Sequence, residues 1–165
     1  MAFNKQKLTL NQNFMKRHQI IAMLLLTFFF VSCKKEKSDS DKGYVYYEVG
    51  FKSTNADWRD TAFVVRTNNL QLIQKADVQL ELPLSERKIV TGGLVSGSSG
   101  YNKNAAHEFK WHFKEDDWNL VDVTVEIYDG KPFTDIDSNL SYWLDTVKRF
   151  GSWGSYIRKK LPAKP

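Results

Sequence analysis

One histidine and two carboxylates in the second half of the chain have the types and spacing that acid–base chemistry or ligand recognition needs. His112 lies in a segment that alternates between polar and apolar residues, and Asp122 and Glu126 lie four residues apart in the next such segment. If the two segments are neighbouring strands, this alternation places all three side chains on one face of a sheet. An imidazole beside a carboxylate can transfer a proton, so this face is a candidate site of hydrolysis or of binding.

Three further residues complete the candidate binding set. Tyr101 and Asn102 lie near the end of a glycine- and serine-rich loop over residues 96–104, and Asp129 ends the second alternating segment. The alternative interpretation is a solvated sheet face, on which each exposed charge pair contributes less than about 1 kcal/mol. For catalysis we favour this alternative, and we predict a non-enzymatic binding domain. A small hydrolase that uses His112 with Asp122 or Glu126 is the alternative hypothesis.

The sequence predicts neither a metal nor a cofactor. Beyond the first 32 residues the chain has only two histidines, His107 and His112, so no zinc set of known spacing exists. Residues 135–139 begin like a calcium loop, but Leu140 stands where that loop requires glycine. The chain also has no phosphate-binding loop and no Gly-x-Ser-x-Gly nucleophile elbow.

The elements that must position these residues follow from polarity patterns. Strands are predicted over residues 44–52, 61–67, 88–95, 108–113 and 118–129, and helices over residues 70–82 and 132–150. The acidic run 115–117 predicts a hairpin turn, which would place Lys110 opposite Asp122. Gly92 and Gly93 predict a bulge or a close backbone approach. The predicted fold class is α+β: an antiparallel sheet of about five strands with two helices packed on one face.

Tryptophans offer a possible platform for stacking sugars. Trp111 and Trp143 fall on apolar stripes and are predicted to lie in the core. Trp58 and Trp118 fall outside those stripes, so we predict that these two side chains lie on the surface.

The N-terminal region indicates export and lipid attachment. Residues 20–31 form an apolar run of twelve residues after the basic pair Lys16 and Arg17. A membrane-spanning helix needs about 20 residues, so the run is typical of a signal peptide. The following Cys33 is preceded by Val31 and Ser32, and this pattern resembles a bacterial lipobox. We therefore predict a signal peptide over residues 1–32, with Met15 as a possible true start, and a lipid on Cys33.

Composition beyond the signal peptide favours one tethered domain. Residues 1–32 carry four of the 24 basic residues and none of the 19 acidic ones, which leaves a net charge of +1. This balance argues against nucleic-acid binding. Residues 33–43 are almost entirely polar and are predicted to be a disordered tether, and a single domain is predicted over residues 44–161. Lys34, rather than aspartate, follows the cysteine, which favours the outer membrane over the inner one.

A set of short motifs carries a resemblance to a known family. They are Ala62-Phe-Val-Val65, Tyr101-Asn102, Phe109-Lys-Trp-His112-Phe113, Asp122-x3-Glu126-x2-Asp129 and Trp153-Gly-Ser155. In this order, residues 61–161 resemble the N-terminal domain of a calmodulin-binding, cAMP-regulated slime-mould protein, which also occurs in secreted bacterial proteins. The resemblance implies that His112, Asp122, Glu126 and Asp129 match polar positions of the family, and it implies no particular activity.

These observations predict a cell-envelope lipoprotein whose partners are the membrane, through Cys33, and an envelope protein or glycan. A third hypothesis is an inhibitor of secreted proteases, for which the loop over residues 96–104 would be the contact.

Overall fold

The computed structural model describes residues 43–53 and 57–165. The predicted signal peptide, Cys33 and the tether up to residue 42 lie outside the described residues. The described part of the chain is mixed α+β with antiparallel sheets and few helices, which confirms the predicted fold class. Among the described helices, none has the length and apolar character needed to span a membrane.

The first sheet has three antiparallel strands in the order β2-β1-β8. Their bounds are Val45–Phe51 for β1, Ala62–Thr67 for β2 and Ser155–Leu161 for β8. The central strand β1 pairs with both neighbours, and Tyr47 lies opposite Val65 on one side and Lys160 on the other. Aromatic and β-branched residues favour this pairing, and the predicted strands over residues 44–52 and 61–67 are confirmed.

The second sheet has the order β6-β3-β7, and a two-stranded ribbon pairs β4 with β5. Their bounds are Ile89–Ser96 for β3, Lys103–Asn104 for β4, His107–Glu108 for β5, Trp111–Val121 for β6 and Arg149–Phe150 for β7. The sequence predicts one sheet of about five strands, whereas the described strands form two three-stranded sheets and this ribbon.

The predicted hairpin turn at residues 115–117 is wrong, because β6 runs through this acidic segment as one strand. β6 pairs with β3 on both sides of it, with Phe113 opposite Leu94 and Trp118 opposite Gly92. Four residues of β6 therefore face a single residue of β3, which is a large bulge of the special type. The predicted strands over residues 108–113 and 118–129 were expected to pair with each other, but the parts of them that lie in β6 both pair with β3.

The glycine pair of β3 makes room for this bulge, as the sequence predicts. A Cβ atom on Gly92 would lie 2.5 Å from the ring of Phe113, and one on Gly93 would lie 2.5 Å from a carboxylate oxygen of Asp117. Any side chain at either position would overlap these groups, since such distances are far below van der Waals contact.

Helix α1, Leu70–Glu81, begins and ends close to the predicted residues. Asn69 is its N-cap, and the Asn69 side chain accepts hydrogen bonds from the N–H groups of Gln71 and Leu72. Leu72 and Ala76 are buried on its inner side. The helix therefore packs through one face and leaves the opposite face to solvent.

The second predicted helix is broken into short pieces. They are a π-helix over Pro132–Asp137, a single α turn, α2, over Leu140–Tyr142, and a second π-helix over Trp143–Val147. Asp60 holds the first piece, because its buried carboxylate accepts the N–H groups of Phe133 and Thr134. Lys148 ends the last piece in the left-handed conformation, with φ 63°. The predicted continuous helix over residues 132–150 is therefore wrong, although its apolar stripe is buried at Ile136, Trp143 and Val147.

Side chains join the two sheets at both edges. At one edge the buried amide of Asn102 accepts the N–H of Val64 in β2 and donates to the carbonyl of Trp111 in β6. At the other edge the N–H of Val90 in β3 donates to the hydroxyl of Ser155 in β8. The sheets thus enclose one core, whose centre is a cluster of aromatic rings: Phe63, Trp111, Phe113 and Phe150.

Candidate binding surface

The structure assigns structural positions to two of the predicted binding residues. Tyr101 and Asn102 are fully buried, and both the oxygen and the nitrogen of the Asn102 side-chain amide are used in joining β2 to β6. The Tyr101 ring packs edge-on against Tyr46 and His112. Neither side chain faces solvent, so the loop over residues 96–104 directs its most distinctive residues into the core.

His112 lies beside a cluster in which an arginine is enclosed by aromatic rings. The Arg66 guanidinium lies 4.2 Å from the ring centre of Tyr44 and 4.8 Å from that of Tyr101, and it forms an ion pair with Glu115. The Nδ1 atom of His112 lies 3.0 Å from the carbonyl oxygen of Gly97. Because a carbonyl only accepts, this nitrogen carries the proton.

The ion pair between Arg66 and Glu115 makes stability depend on pH. Partial burial raises the pKa of Glu115, but hydrogen bonds from Tyr44 and Arg66 outweigh it and lower the pKa below its ordinary value. Because the pKa of Glu115 is lower in the folded state than in the unfolded chain, its ionised form stabilises the fold fully at pH values above the unfolded pKa of about 4.3. This stabilisation is lost as the pH falls through the lower pKa of the folded state.

We therefore expect Glu115→Gln to lower the free energy of unfolding by about 1–2 kcal/mol at pH 7. The difference from the wild type should shrink as the pH falls below about 4.3, where the carboxylate of the unfolded chain takes up a proton, and should vanish below the lower pKa of the folded state. Urea unfolding of both proteins between pH 7 and pH 2.5 measures this difference. A difference that stays constant over this range would show that Glu115 does not act as a carboxylate.

The predicted carboxylates lie at the other end of β6 from His112. His112 pairs with Val95 on β3 and Val121 pairs with Ile89, and these partners are about 20 Å apart at the usual rise per residue. Asp122 follows Val121 directly, so the structure does not bring it to His112. The expected opposition of Lys110 and Asp122 is wrong for the same reason.

Asp122 and Asp129 have defined partners, and both adjoin Trp153. Asp122 forms a 3.0 Å ion pair with Lys88; the Asp122 side chain is largely exposed, and that of Lys88 is partly exposed. Asp129 accepts hydrogen bonds from the hydroxyl of Ser152, at 2.7 Å, and from the N–H of Trp153, at 3.2 Å. Glu126 begins a short 3-10 turn over Glu126–Tyr128 and is exposed.

The segment between these acids exposes large apolar side chains. Val123 is 77% exposed, and the other members of the group are Val125, Ile127 and Trp153, each more than half exposed. Thr124, in contrast, points inward, and its hydroxyl donates to the carbonyl of Gly151 at 2.5 Å. We call Asp122–Ile127 together with Trp153 the apolar ridge. Grouped exposed apolar side chains with a polar rim are typical of interaction sites.

Two shallow depressions lie on either side of Val123. One, of about 350 Å³, is lined by Ile89, Asp122, Val123 and Trp153. The other, of about 290 Å³, includes Val121, Val125, Tyr128 and Arg149 in its lining. The ridge therefore offers two neighbouring places for side chains of a partner. The described residues hold no group of three or more His, Cys, Asp or Glu side chains that could bind a metal.

The family comparison covers almost the whole described domain. A family model described as the BP-74 N-terminal domain matches residues 47–164. The chain belongs to this family. Comparison with curated proteins and with solved structures finds no match. The match confirms the resemblance predicted for residues 61–161 and extends it to β1, and the apolar ridge lies within this BP-74 N-terminal domain.

Sequence reasoning missed the apolar members of the ridge in this BP-74 N-terminal domain. Alternation assigned Val123, Val125 and Ile127 to the buried face of a strand, whereas β6 ends at Val121 before reaching them. Trp58 is exposed as predicted, but Trp118 is buried because its indole N–H donates to the carbonyl of Arg66 in β2. No local pattern signals either outcome, since both depend on distant partners.

Proposed function

We propose that the protein is a lipid-anchored, non-enzymatic binding domain of the cell envelope, whose apolar ridge captures an extended segment of a partner polypeptide by strand addition. One observation carries this proposal: the ridge continues β6 beyond the end of β3, exposes Val123 and Val125, and leaves its backbone largely unpaired. Strand addition to such an edge is a recurring mode of peptide recognition.

The backbone of residues 122–125 supports this mode. Pairing with β3 ends at Val121, which lies opposite Ile89. Among the described residues, the only backbone hydrogen bond made by these four residues runs from the N–H of Tyr128 to the carbonyl of Val125. Val125 has extended backbone angles, φ −82° and ψ 138°. A partner strand would therefore find free N–H and C=O groups in a conformation suited to pairing.

The side chains support an apolar and alternating partner. Val123 and Val125 point outward while Thr124 is held inward, which is the alternation of a strand. The depressions beside Val123 would receive side chains of the partner, and its backbone would supply the ladder hydrogen bonds. Lys88 and Arg149, both bound to carboxylates, lie at the borders of this surface.

Selection of peptides from a displayed random library tests this function. We expect enriched peptides with alternating apolar residues, and we expect Val123→Arg to weaken their binding at least tenfold. The matched control is Val78→Arg, which places the same charge on an exposed valine of α1 and should leave affinity unchanged. Equal affinity of both variants would contradict the proposal.

The membrane anchor forms the second part of the proposal. The apolar run over residues 20–31 and the lipobox-like residues before Cys33 support cleavage and lipid attachment there. Several acyl chains on one cysteine would hold the domain stably on a membrane, and Lys34 favours the outer membrane.

Intact mass and membrane fractionation of the expressed protein test the anchor. We expect the wild type to sediment with membranes and to show the mass of a chain cleaved before Cys33 plus acyl groups. The Cys33→Ala variant should lose both properties. A soluble wild-type product without lipid would contradict the anchor and leave the binding surface to be judged by itself.

A further inference from the structure

A groove beside α1, distinct from the apolar ridge, has a lining suited to an acidic ligand. Its volume is about 510 Å³, which is within the range of small-molecule sites. Helix α1 contributes a stripe at positions i, i+3, i+4 and i+7, which share one helix face. The stripe and its facing residues are Gln71, Gln74, Lys75, Val78, Gln79, Lys88 and Leu120.

Gln79 gives this groove a largely buried polar side chain of fixed orientation. Its side chain is only 5% exposed, and its Oε1 atom accepts the backbone N–H of Lys88 at 2.7 Å. Because a backbone N–H only donates, this bond fixes the oxygen and turns the amide nitrogen away from Lys88. Within the described part of the chain, that nitrogen donates to no protein group. An oriented N–H₂ group on a largely buried side chain is thus left open to a ligand in the groove.

The remaining lining adds positive charge and an apolar floor. No acidic side chain is among the lining residues of the described chain. Lys75 makes no ion pair with any described residue, whereas Lys88 shares its ammonium group with Asp122. Val78 and Leu120 supply carbon surface between the polar groups. The lining therefore has two ammonium groups and three side-chain amides but no carboxylate of its own, so the carboxylate of a ligand would be stabilised here.

We propose that this groove binds an acidic saccharide. The amides of Gln71, Gln74 and Gln79 would bond to hydroxyl groups, Lys75 would pair with the sugar carboxylate, and Val78 would contact the apolar face of the ring. This inference goes beyond the proposed capture of a polypeptide. The two surfaces adjoin where Lys88, which lines the groove, forms an ion pair with Asp122, which belongs to the ridge.

Titration of the ¹⁵N-labelled protein with trigalacturonate tests the proposal, with its methyl ester as the matched neutral ligand. We expect saturable shifts of the side-chain amide signals of the three glutamines, and at least tenfold weaker binding of the ester. Binding should also weaken as sodium chloride is raised, because salt screens charge pairs.

Gln79→Glu is the decisive variant. It keeps an oxygen for the N–H of Lys88 but replaces the amide donors by a negative charge, and we expect at least a tenfold loss of affinity for trigalacturonate. The control Asn139→Asp makes the same change on an exposed residue elsewhere and should bind as the wild type does. Unfolding in urea checks that Gln79→Glu is folded. Unmoved glutamine signals, equal affinity for the ester, or unchanged affinity of folded Gln79→Glu would each overturn the proposal.

Discussion

Replacement of Asn102 by alanine is expected to lower the free energy of unfolding by about 2–5 kcal/mol, since two buried backbone groups lose their partners. The side chain of Asn102 is completely buried and connects the N–H of Val64, at 2.9 Å, with the carbonyl of Trp111, at 2.8 Å. Alanine would leave both groups without water and without a hydrogen bond. Urea unfolding at pH 7, followed by tryptophan fluorescence, measures the loss.

Asn119→Ala is the matched control for this prediction. Asn119 is exposed, and its side chain accepts a hydrogen bond only from the adjacent N–H of Leu120. The loss there should stay below about 0.5 kcal/mol. If the two variants were equally stable, Asn102 would not join the sheets, and its role in ligand recognition would need to be reconsidered.

Gly92→Ala is expected to cost about 3 kcal/mol, because the added methyl group would overlap the buried ring of Phe113. The Cβ atom would lie 2.5–2.8 Å from three atoms of that ring. Phe113 touches Phe63, Trp111 and Phe150, so the ring has little freedom to move. Thermal unfolding by circular dichroism would show a lowered Tm.

Gly154→Ala separates this steric effect from the general effect of removing a glycine. A Cβ atom on Gly154 would have no neighbour closer than 3.8 Å, and its stability should change by less than about 1 kcal/mol. A Gly92→Ala variant as stable as Gly154→Ala would contradict the bulge in β6.

Local chemistry was sufficient to predict several elements of the fold. Asn69 caps α1 because its short side chain reaches the free N–H groups of the first turn, which is a property of adjacent residues. The pair Gly92 and Gly93 predicted a close backbone approach, since only glycine fits there. Strands β1 and β2 followed from their aromatic and β-branched composition.

The acidic run at residues 115–117 could not be interpreted locally. Glu115 forms an ion pair with Arg66, and Asp117 forms one with Arg149. These partners are distant in the sequence, so the charges looked like those of a solvated turn. Tertiary pairing instead keeps the run inside β6, and every prediction that depended on the hairpin failed with it.

The structure places the candidate site residues in two separate regions, and their part in binding stays a prediction. Asp122 and Glu126 lie within the apolar ridge, and Asp129 beside it accepts hydrogen bonds from Ser152 and from the N–H of Trp153. Tyr101, by contrast, is buried. Tyrosine suits a surface contact and a polar position in a core equally well, and the sequence does not show which applies.

Amide hydrogen exchange of residues 123–125, measured by NMR with and without a selected peptide, tests the proposed capture of a polypeptide most directly. In the free protein these amides should exchange rapidly, because no described group accepts them. Saturating peptide should slow their exchange at least tenfold, while amides between β3 and β6 stay protected in both states. Amides that are already protected in the free protein, or that the peptide leaves unchanged, would contradict strand addition at the apolar ridge.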